Sequence, residues 1–77
     1  MRVNVKLYSG LKRFAPGEEN VFTLDLLPGA DVSGLFRALG IPADEPCFIM
    51  VDGRRREEKT PLSDGCTVVL FTPVDGG

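Results

Sequence analysis

The sequence has no histidine or tryptophan, and its two cysteines, Cys47 and Cys66, lie far apart with no CxxC pair. A structural metal site or a disulfide framework needs more ligands or thiols than these. We therefore expect Cys47 and Cys66 to be ordinary buried or edge thiols. The sequence predicts a chain that binds no metal and no cofactor of its own.

A surplus of basic residues and a long apolar run are also missing. The net charge is −2, whereas binding to a phosphate backbone needs a basic field. The basic run 54–56 is followed at once by Glu57 and Glu58, which is typical of a solvated hairpin. No apolar stretch approaches the roughly 20 residues of a membrane span, and the N-terminus is typical of a strand rather than a signal peptide. We expect a cytoplasmic protein that binds neither nucleic acid nor membrane.

What the chain does contain is typical of one small globular domain. It has 77 residues, 43% of them hydrophobic and 26% charged. Alternating or two-sided apolar patterns predict strands over 2–8, 21–27, 47–51 and 67–72. A short helical turn is expected over 11–15. The Asp52-Gly53 pair predicts a tight hairpin leading to a short charged strand over 54–57.

One amphipathic helix is expected between the second and third strands. Its apolar stripe has the spacing i, i+3, i+4 and i+7 and consists of Val32, Leu35, Phe36 and Leu39. Asp31 stands at the N-cap position, and Gly40 stands where a left-handed residue ends a helix. Gly34 inside the helix costs roughly 1 kcal/mol relative to alanine, so the helix depends on packing.

These elements predict an α+β fold of the β-grasp kind, in which a mixed sheet of four or five strands wraps one main helix. The first two strands can pair as a hairpin. The strand over 67–72 is apolar on both faces, which favours a central position in the sheet. We expect the β-grasp domain to cover residues 1–73 and a flexible tail to cover residues 74–77.

The C-terminal stretch resembles a known family. Residues 60–77 read Thr-Pro-Leu-Ser-Asp-Gly-Cys-Thr-Val-Val-Leu-Phe-Thr-Pro-Val-Asp-Gly-Gly, which is similar to the MoaD/ThiS family of ubiquitin-like sulfur carrier proteins. The hairpin over 51–54 and the segment over 24–39 also resemble that family, so the resemblance covers nearly the whole chain. In layout it is closest to the small subunit of molybdopterin synthase. Cys66 and Thr72 depart from the family pattern, and the segment over 40–46 is short.

The resemblance implies a reaction at the C-terminus. A ubiquitin-activating-type enzyme would bind ATP and Mg²⁺, and the carboxylate of Gly77 would attack the α-phosphate to give an acyl adenylate. Sulfur from a persulfide protein would then displace AMP and leave a thiocarboxylate. Gly76 and Gly77 have no Cβ, so the tail can enter a narrow channel. The chain would be a cosubstrate rather than an enzyme.

Strand alternation groups Phe48 with Met50 on one face of their strand and Val69 with Phe71 on one face of theirs, and a resemblance to ubiquitin implies that Met50 faces outward. These four side chains are then expected to form a docking surface on the sheet face that the helix leaves open, with Pro73, Val74 and Asp75 leading from it to the glycines. Aromatic and methionine side chains are favoured in protein interfaces. The opposite register of the strands would bury these side chains instead.

Two other functions compete with this interpretation, and a third can be excluded. A ubiquitin-like modifier would pass the same adenylate to a lysine amine. A passive β-grasp interaction module would have an inert tail. An electron-transfer protein of the plant-ferredoxin kind is excluded because its cluster needs four cysteines. The carrier could also remain bound to a large synthase subunit.

Overall fold

The computed structural model describes residues 1–73, and the tail expected over 74–77 lies outside them. The described chain forms five strands, one α-helix and one 3-10 helix. In chain order these are β1 (Arg2–Leu7), the 3-10 helix Ser9–Phe14, β2 (Val21–Asp25), α1 (Val32–Leu39), β3 (Phe48–Val51), β4 (Arg54–Arg55) and β5 (Thr67–Phe71). None of the helices found in residues 1–73 has the length and hydropathy needed to span a bilayer.

All five strands form one mixed sheet in the order β2-β1-β5-β3-β4. The neighbours β1 and β5 are parallel, while the other three pairs are antiparallel. The predicted hairpin of the first two strands and the central position of β5 are both confirmed. The β-grasp prediction is therefore confirmed.

The core lies between the sheet and α1. Its fully buried members are Val3, Val5, Leu7, Leu11, Val32, Leu35, Val68 and Leu70. Alternate residues of β1 and β5 contribute to it because successive side chains of a strand point to opposite faces. Within residues 1–73 the buried set contains no polar or charged side chain. Hydrophobic burial is therefore what holds the helix to the sheet.

The predicted ends of α1 are confirmed in detail. The backbone N–H of Gly34 donates to Asp31 Oδ1 at 2.9 Å, and the Ser33 hydroxyl donates to the same oxygen at 2.5 Å. These two bonds hold the pKa of Asp31 below its usual value, the Ser33 bond having the larger effect. At the other end Gly40 has a φ of 74°, and the N–H of Ile41 donates to the carbonyl of Phe36 at 2.8 Å.

Several elements differ from the predicted ranges by a few residues. β2 ends at Asp25 rather than at residue 27, and the Leu27 side chain is 81% exposed. β4 has two residues instead of four. The 3-10 helix starts at Ser9 rather than at residue 11, because the chain turns directly after β1 and brings Leu11 into the core, where it is fully buried.

Candidate functional site

The candidate docking surface lies on the face of β3 and β5 that is turned away from α1. Phe48 pairs with Phe71 and Met50 pairs with Val69, while the alternate residues Ile49 and Leu70 are buried. The rings of Phe48 and Phe71 are 5.4 Å apart at an interplanar angle of 60°, a tilted arrangement favoured by aromatic pairs. All four side chains are half-buried. We call Phe48, Met50, Val69 and Phe71 the open-face patch.

Two cations border the open-face patch, and sequence reasoning missed their position. Arg55 pairs with Met50 across β3 and β4, and its guanidinium carbon lies 4.3 Å from the centre of the Phe48 ring. On the other side Lys6 of β1 pairs with Val69. The two-residue hairpin and the alternation of β1 are the signals that could have placed both cations on this face.

The strand end from which the tail leaves is held by the 3-10 helix. The N–H of Tyr8 donates to the carbonyl of Leu70 at 2.9 Å, and the N–H of Gly10 donates to Thr72 Oγ1 at 2.9 Å. A Cβ on Gly10 would lie 2.7 Å from that oxygen, so the contact requires glycine. We call the pair Gly10 and Thr72 the tail anchor.

An ion pair ties the tail anchor to the segment before β3. Arg13 Nη2 lies 2.7 Å from Glu45 Oε2, and the Glu45 side chain is 14% exposed. The other nitrogen of Arg13 donates to the carbonyl of Gly10, and the guanidinium stacks 4.5 Å from the centre of the Phe14 ring. Polar contacts thus join the 3-10 helix both to Thr72 and to the segment before β3.

Cys47, beside β3, and Cys66, directly before β5, are free thiols. The pKa of Cys47 is raised to about 11, mainly by burial. The N–H of Phe71 opposes this rise, and the charge of Glu45 makes the smallest contribution, which also raises the pKa. Cys66 is buried in the core. Since the thiolate is the reactive form, a thiol with a raised pKa is a poor nucleophile. The prediction that both cysteines are ordinary buried or edge thiols agrees with this environment.

The predicted reactive residues are only partly covered by the described chain. Pro73 is described and half-buried, whereas Val74, Asp75, Gly76 and Gly77 lie outside the described residues. Their roles remain predictions. Among residues 1–73, no group of three histidine, cysteine or carboxylate side chains is arranged to hold a metal ion.

The whole chain was compared with known proteins. The model of the ThiS family matches residues 5–77, which include both terminal glycines. The chain belongs to the ThiS family. A comparison with curated protein sequences found no significant match.

Solved structures similar to this ThiS-family chain have the same ubiquitin-like fold. SAMP1 from Haloferax volcanii is 21% identical with a TM-score of 0.78, and the match covers 100% of both chains. ThiS from Geobacter metallireducens is 20% identical with a TM-score of 0.60, covering 96% of this chain and 99% of that one. A complex of subunits 1 and 2 of molybdopterin-converting factor from Helicobacter pylori contains a chain that is 25% identical with a TM-score of 0.66, again over 100% of both chains.

Proposed function

We propose that this ThiS-family chain is a sulfur carrier whose Gly77 carboxylate is adenylated by a partner enzyme and converted to a thiocarboxylate. The thiocarboxylate would donate its sulfur in the biosynthesis of a molybdopterin-type or thiamine-type cofactor. The observation that supports this best is that the family match runs through residue 77 and so includes the Gly76-Gly77 end.

The proposed chemistry follows from the reactivity of a main-chain carboxylate. It is a poor acyl donor because oxide is a poor leaving group. Attack of the Gly77 carboxylate on ATP releases pyrophosphate and forms an acyl adenylate, whose AMP leaves readily. A persulfide then displaces AMP to form an acyl disulfide, and a second thiol of the donor protein cleaves the S–S bond. The thiocarboxylate remains on Gly77.

The chain itself would contribute the tail and a docking surface, and the partner enzyme would bind Mg²⁺ and ATP and supply the catalytic groups. We propose that the open-face patch binds this adenylating enzyme, with residues 73–75 leading the tail toward its nucleotide. The patch offers aromatic and methionine side chains in one half-buried area, as protein interfaces often do. The chain would be a cosubstrate rather than an enzyme.

A large synthase subunit is a second proposed partner. The similar Helicobacter pylori protein is a complex of subunit 1 with subunit 2. This supports the proposal that the present chain also assembles with a larger subunit, which would receive the sulfur from the thiocarboxylate.

The decisive experiment is intact-protein mass spectrometry. The full chain is incubated with a purified adenylating enzyme of the ubiquitin-activating type from the same organism, MgATP and a persulfide donor. The proposal expects a mass increase equal to one oxygen replaced by sulfur, and a variant without Gly76 and Gly77 should show none. A ladder of protein adducts would instead support a ubiquitin-like modifier. Full function of the truncated variant in cells would support a passive interaction module.

The docking role of the patch has its own test. Phe71→Asp introduces a charge into the patch and should abolish adenylation while circular dichroism shows a folded protein, because the buried residues of β5 are unchanged. Leu27→Asp is the matched control, since Leu27 is an 81% exposed apolar side chain outside the strands. Normal adenylation of folded Phe71→Asp would reject this docking surface.

A further inference from the structure

We infer that the partner surface that receives the open-face patch is apolar at its centre and bordered by carboxylates on two opposite sides, where it meets Lys6 and Arg55. This inference rests on the proposed function and deepens it, because it specifies the chemistry of the adenylating enzyme's docking site. It follows from the positions of the cations, from the absence of ion pairs to them within residues 1–73, and from the charges of the strand residues around them.

The two cations stand at the ends of one row across the sheet. Successive cross-strand pairs join Lys6 to Val69, Val69 to Met50 and Met50 to Arg55. Directly paired residues lie on the same face of a sheet. With neighbouring strands about 4.8 Å apart, the backbones of Lys6 and Arg55 are separated by roughly 14 Å. An apolar stretch two residues wide therefore lies between two positive charges.

Neither cation is neutralised within the described part of the molecule. The ion pairs of residues 1–73 are Arg2 with Asp25, at 3.1 Å, and Arg13 with Glu45. Asp25 is the only carboxylate in the five strands, and Arg2 already occupies it. Arg55 contacts the face of the Phe48 ring, which places its charge at the edge of the patch. Glu45, Glu57 and Glu58 line a cavity together with Phe48 and Arg55, but none of them forms an ion pair with Arg55 in residues 1–73. Although the chain as a whole carries a net charge of −2, the strand residues of this face are net positive, with Arg2, Lys6 and Arg55 against Asp25.

Such a layout selects a partner by charge as well as by shape. Charges at the rim of an interface speed the encounter of complementary surfaces and penalise partners with like charges. A basic rim opposite Lys6 and Arg55 would be repelled, whereas carboxylates would gain an ion pair on each side. Two cations separated by an apolar stretch do not form the continuous basic track that a nucleic acid backbone requires. An acidic protein rim is therefore the occupant that this face fits.

The test compares two neighbouring arginines that point to opposite faces. Arg54 pairs with Val51, whose side chain packs against the core, and Arg55 pairs with Met50 of the patch. Both arginines are exposed, so Arg55→Glu and Arg54→Glu change the net charge equally in the same strand. The assay is ATP–pyrophosphate exchange by the adenylating enzyme, with KM and kcat measured over a range of carrier concentrations.

We expect Arg55→Glu to raise the KM for the carrier about fivefold relative to Arg54→Glu, with kcat nearly unchanged. Lys6→Gln should raise the KM less, and Arg55→Lys should restore most of the affinity. When salt is raised from about 0.1 M to 1 M, the Debye length falls from roughly 10 Å to 3 Å, so the difference between the two glutamate variants should largely disappear. Melting curves of each variant confirm that it is folded.

Each other outcome overturns the inference in a recognisable way. Equal KM values for the two glutamate variants would overturn the acidic rim while leaving the proposed function intact. If the difference in KM between the two glutamate variants persists at high salt, it arises from lost packing of Arg55 on Phe48 and not from charge. A lower KM for Arg55→Glu would indicate a basic partner surface. Absence of exchange with the wild-type chain would overturn both the inference and the proposed function.

Discussion

Replacing Gly10 with alanine tests the tail anchor, where the 3-10 helix meets the end of β5. The added Cβ would lie 2.7 Å from Thr72 Oγ1 and 3.3 Å from Arg13 Nη1. Arg13 is long and can move aside. Thr72 can relieve the contact only by rotating its side chain, which breaks the bond from the Gly10 N–H. Gly10 is not among the residues with positive φ, so its backbone conformation does not disfavour alanine.

The expected cost of Gly10→Ala follows from these contacts. If Thr72 rotates away, the cost is the lost hydrogen bond, about 1 kcal/mol. If it keeps its rotamer, the cost is the steric strain, for which the roughly 1–3 kcal/mol of core overpacking is the upper limit because Gly10 is exposed. We therefore expect the free energy of unfolding to fall by about 1–3 kcal/mol. For a domain of this size each kcal/mol lowers Tm by about 4–8 °C.

A double-mutant cycle with Thr72→Ala isolates the steric contact. Once Oγ1 is removed, the nearest atom of residue 72 is Cβ, 3.9 Å from the new methyl group, which is an ordinary contact. In that background Gly10→Ala should be neutral, or stabilising by about 0.4–1 kcal/mol, because alanine restricts the unfolded chain. The four proteins are compared by urea and thermal unfolding, and a coupling of at least about 1 kcal/mol is expected. An equal loss in both backgrounds would refute the reasoning.

Three further predictions concern the core, the helix cap and the thiol. Leu35→Ala should lower the free energy of unfolding in urea by about 2–5 kcal/mol, because Leu35 is fully buried. Hydrogen bonds lower the pKa of Asp31 from its usual 3.8, so the ionised carboxylate stabilises the folded protein above pH 3.8. This stabilisation is lost as the pH falls through the pKa of the folded state. The difference in Tm between wild type and Asp31→Ala should therefore narrow as the pH is lowered. In Cys66→Ser, alkylation of Cys47 by iodoacetamide near neutral pH should be about a hundredfold slower than in a peptide, because its pKa is about 11 instead of 9.0.

Each of these predictions has a control and a contrary outcome. Leu27→Ala removes an exposed leucine and should change stability by less than about 0.5 kcal/mol; an equal loss at both leucines would contradict the assigned core. A constant Tm difference between pH 7 and pH 2 would show that the Asp31 carboxylate does not stabilise the helix as a charge. Unfolding in urea should restore rapid alkylation, and rapid alkylation of the folded protein would mean that Cys47 is accessible and ionised.

Local sequence signals predicted the helix ends and the hairpin turn well, because the interactions that form them involve residues only a few positions apart. Asp31 accepts a hydrogen bond from the backbone three residues later, and Gly40 adopts the left-handed conformation that ends α1. Asp52 and Gly53 both have positive φ, as a two-residue hairpin requires. The ends of strands were predicted less well. β2 stops before Leu27, since a strand ends where its partner ends, and that length is not encoded in local alternation.

The alternation of β3 and β5 predicted which side chains share a face but could not decide which face is covered. The structure settles this by placing Val68 and Leu70 in the core, which leaves the open-face patch on the other side. Binding of a partner there remains a prediction, as does the chemistry of residues 74–77. The position of Arg55 and Lys6 beside the patch was missed, because charged side chains in a strand normally just face solvent.

The sequence by itself determined the kinds of elements, their faces and their turns, since these depend on backbone preferences and hydrophobic spacing over short distances. Tertiary structure alone decided the strand order, the parallel pairing of β1 with β5 and the contact between Gly10 and Thr72, which are 62 residues apart. Long-range contacts such as these form only when the whole chain buries its apolar faces at once. The local preferences of the segment around Gly10 do not specify its contact with Thr72. The tail anchor and the charged border of the open-face patch are therefore visible only in the folded molecule.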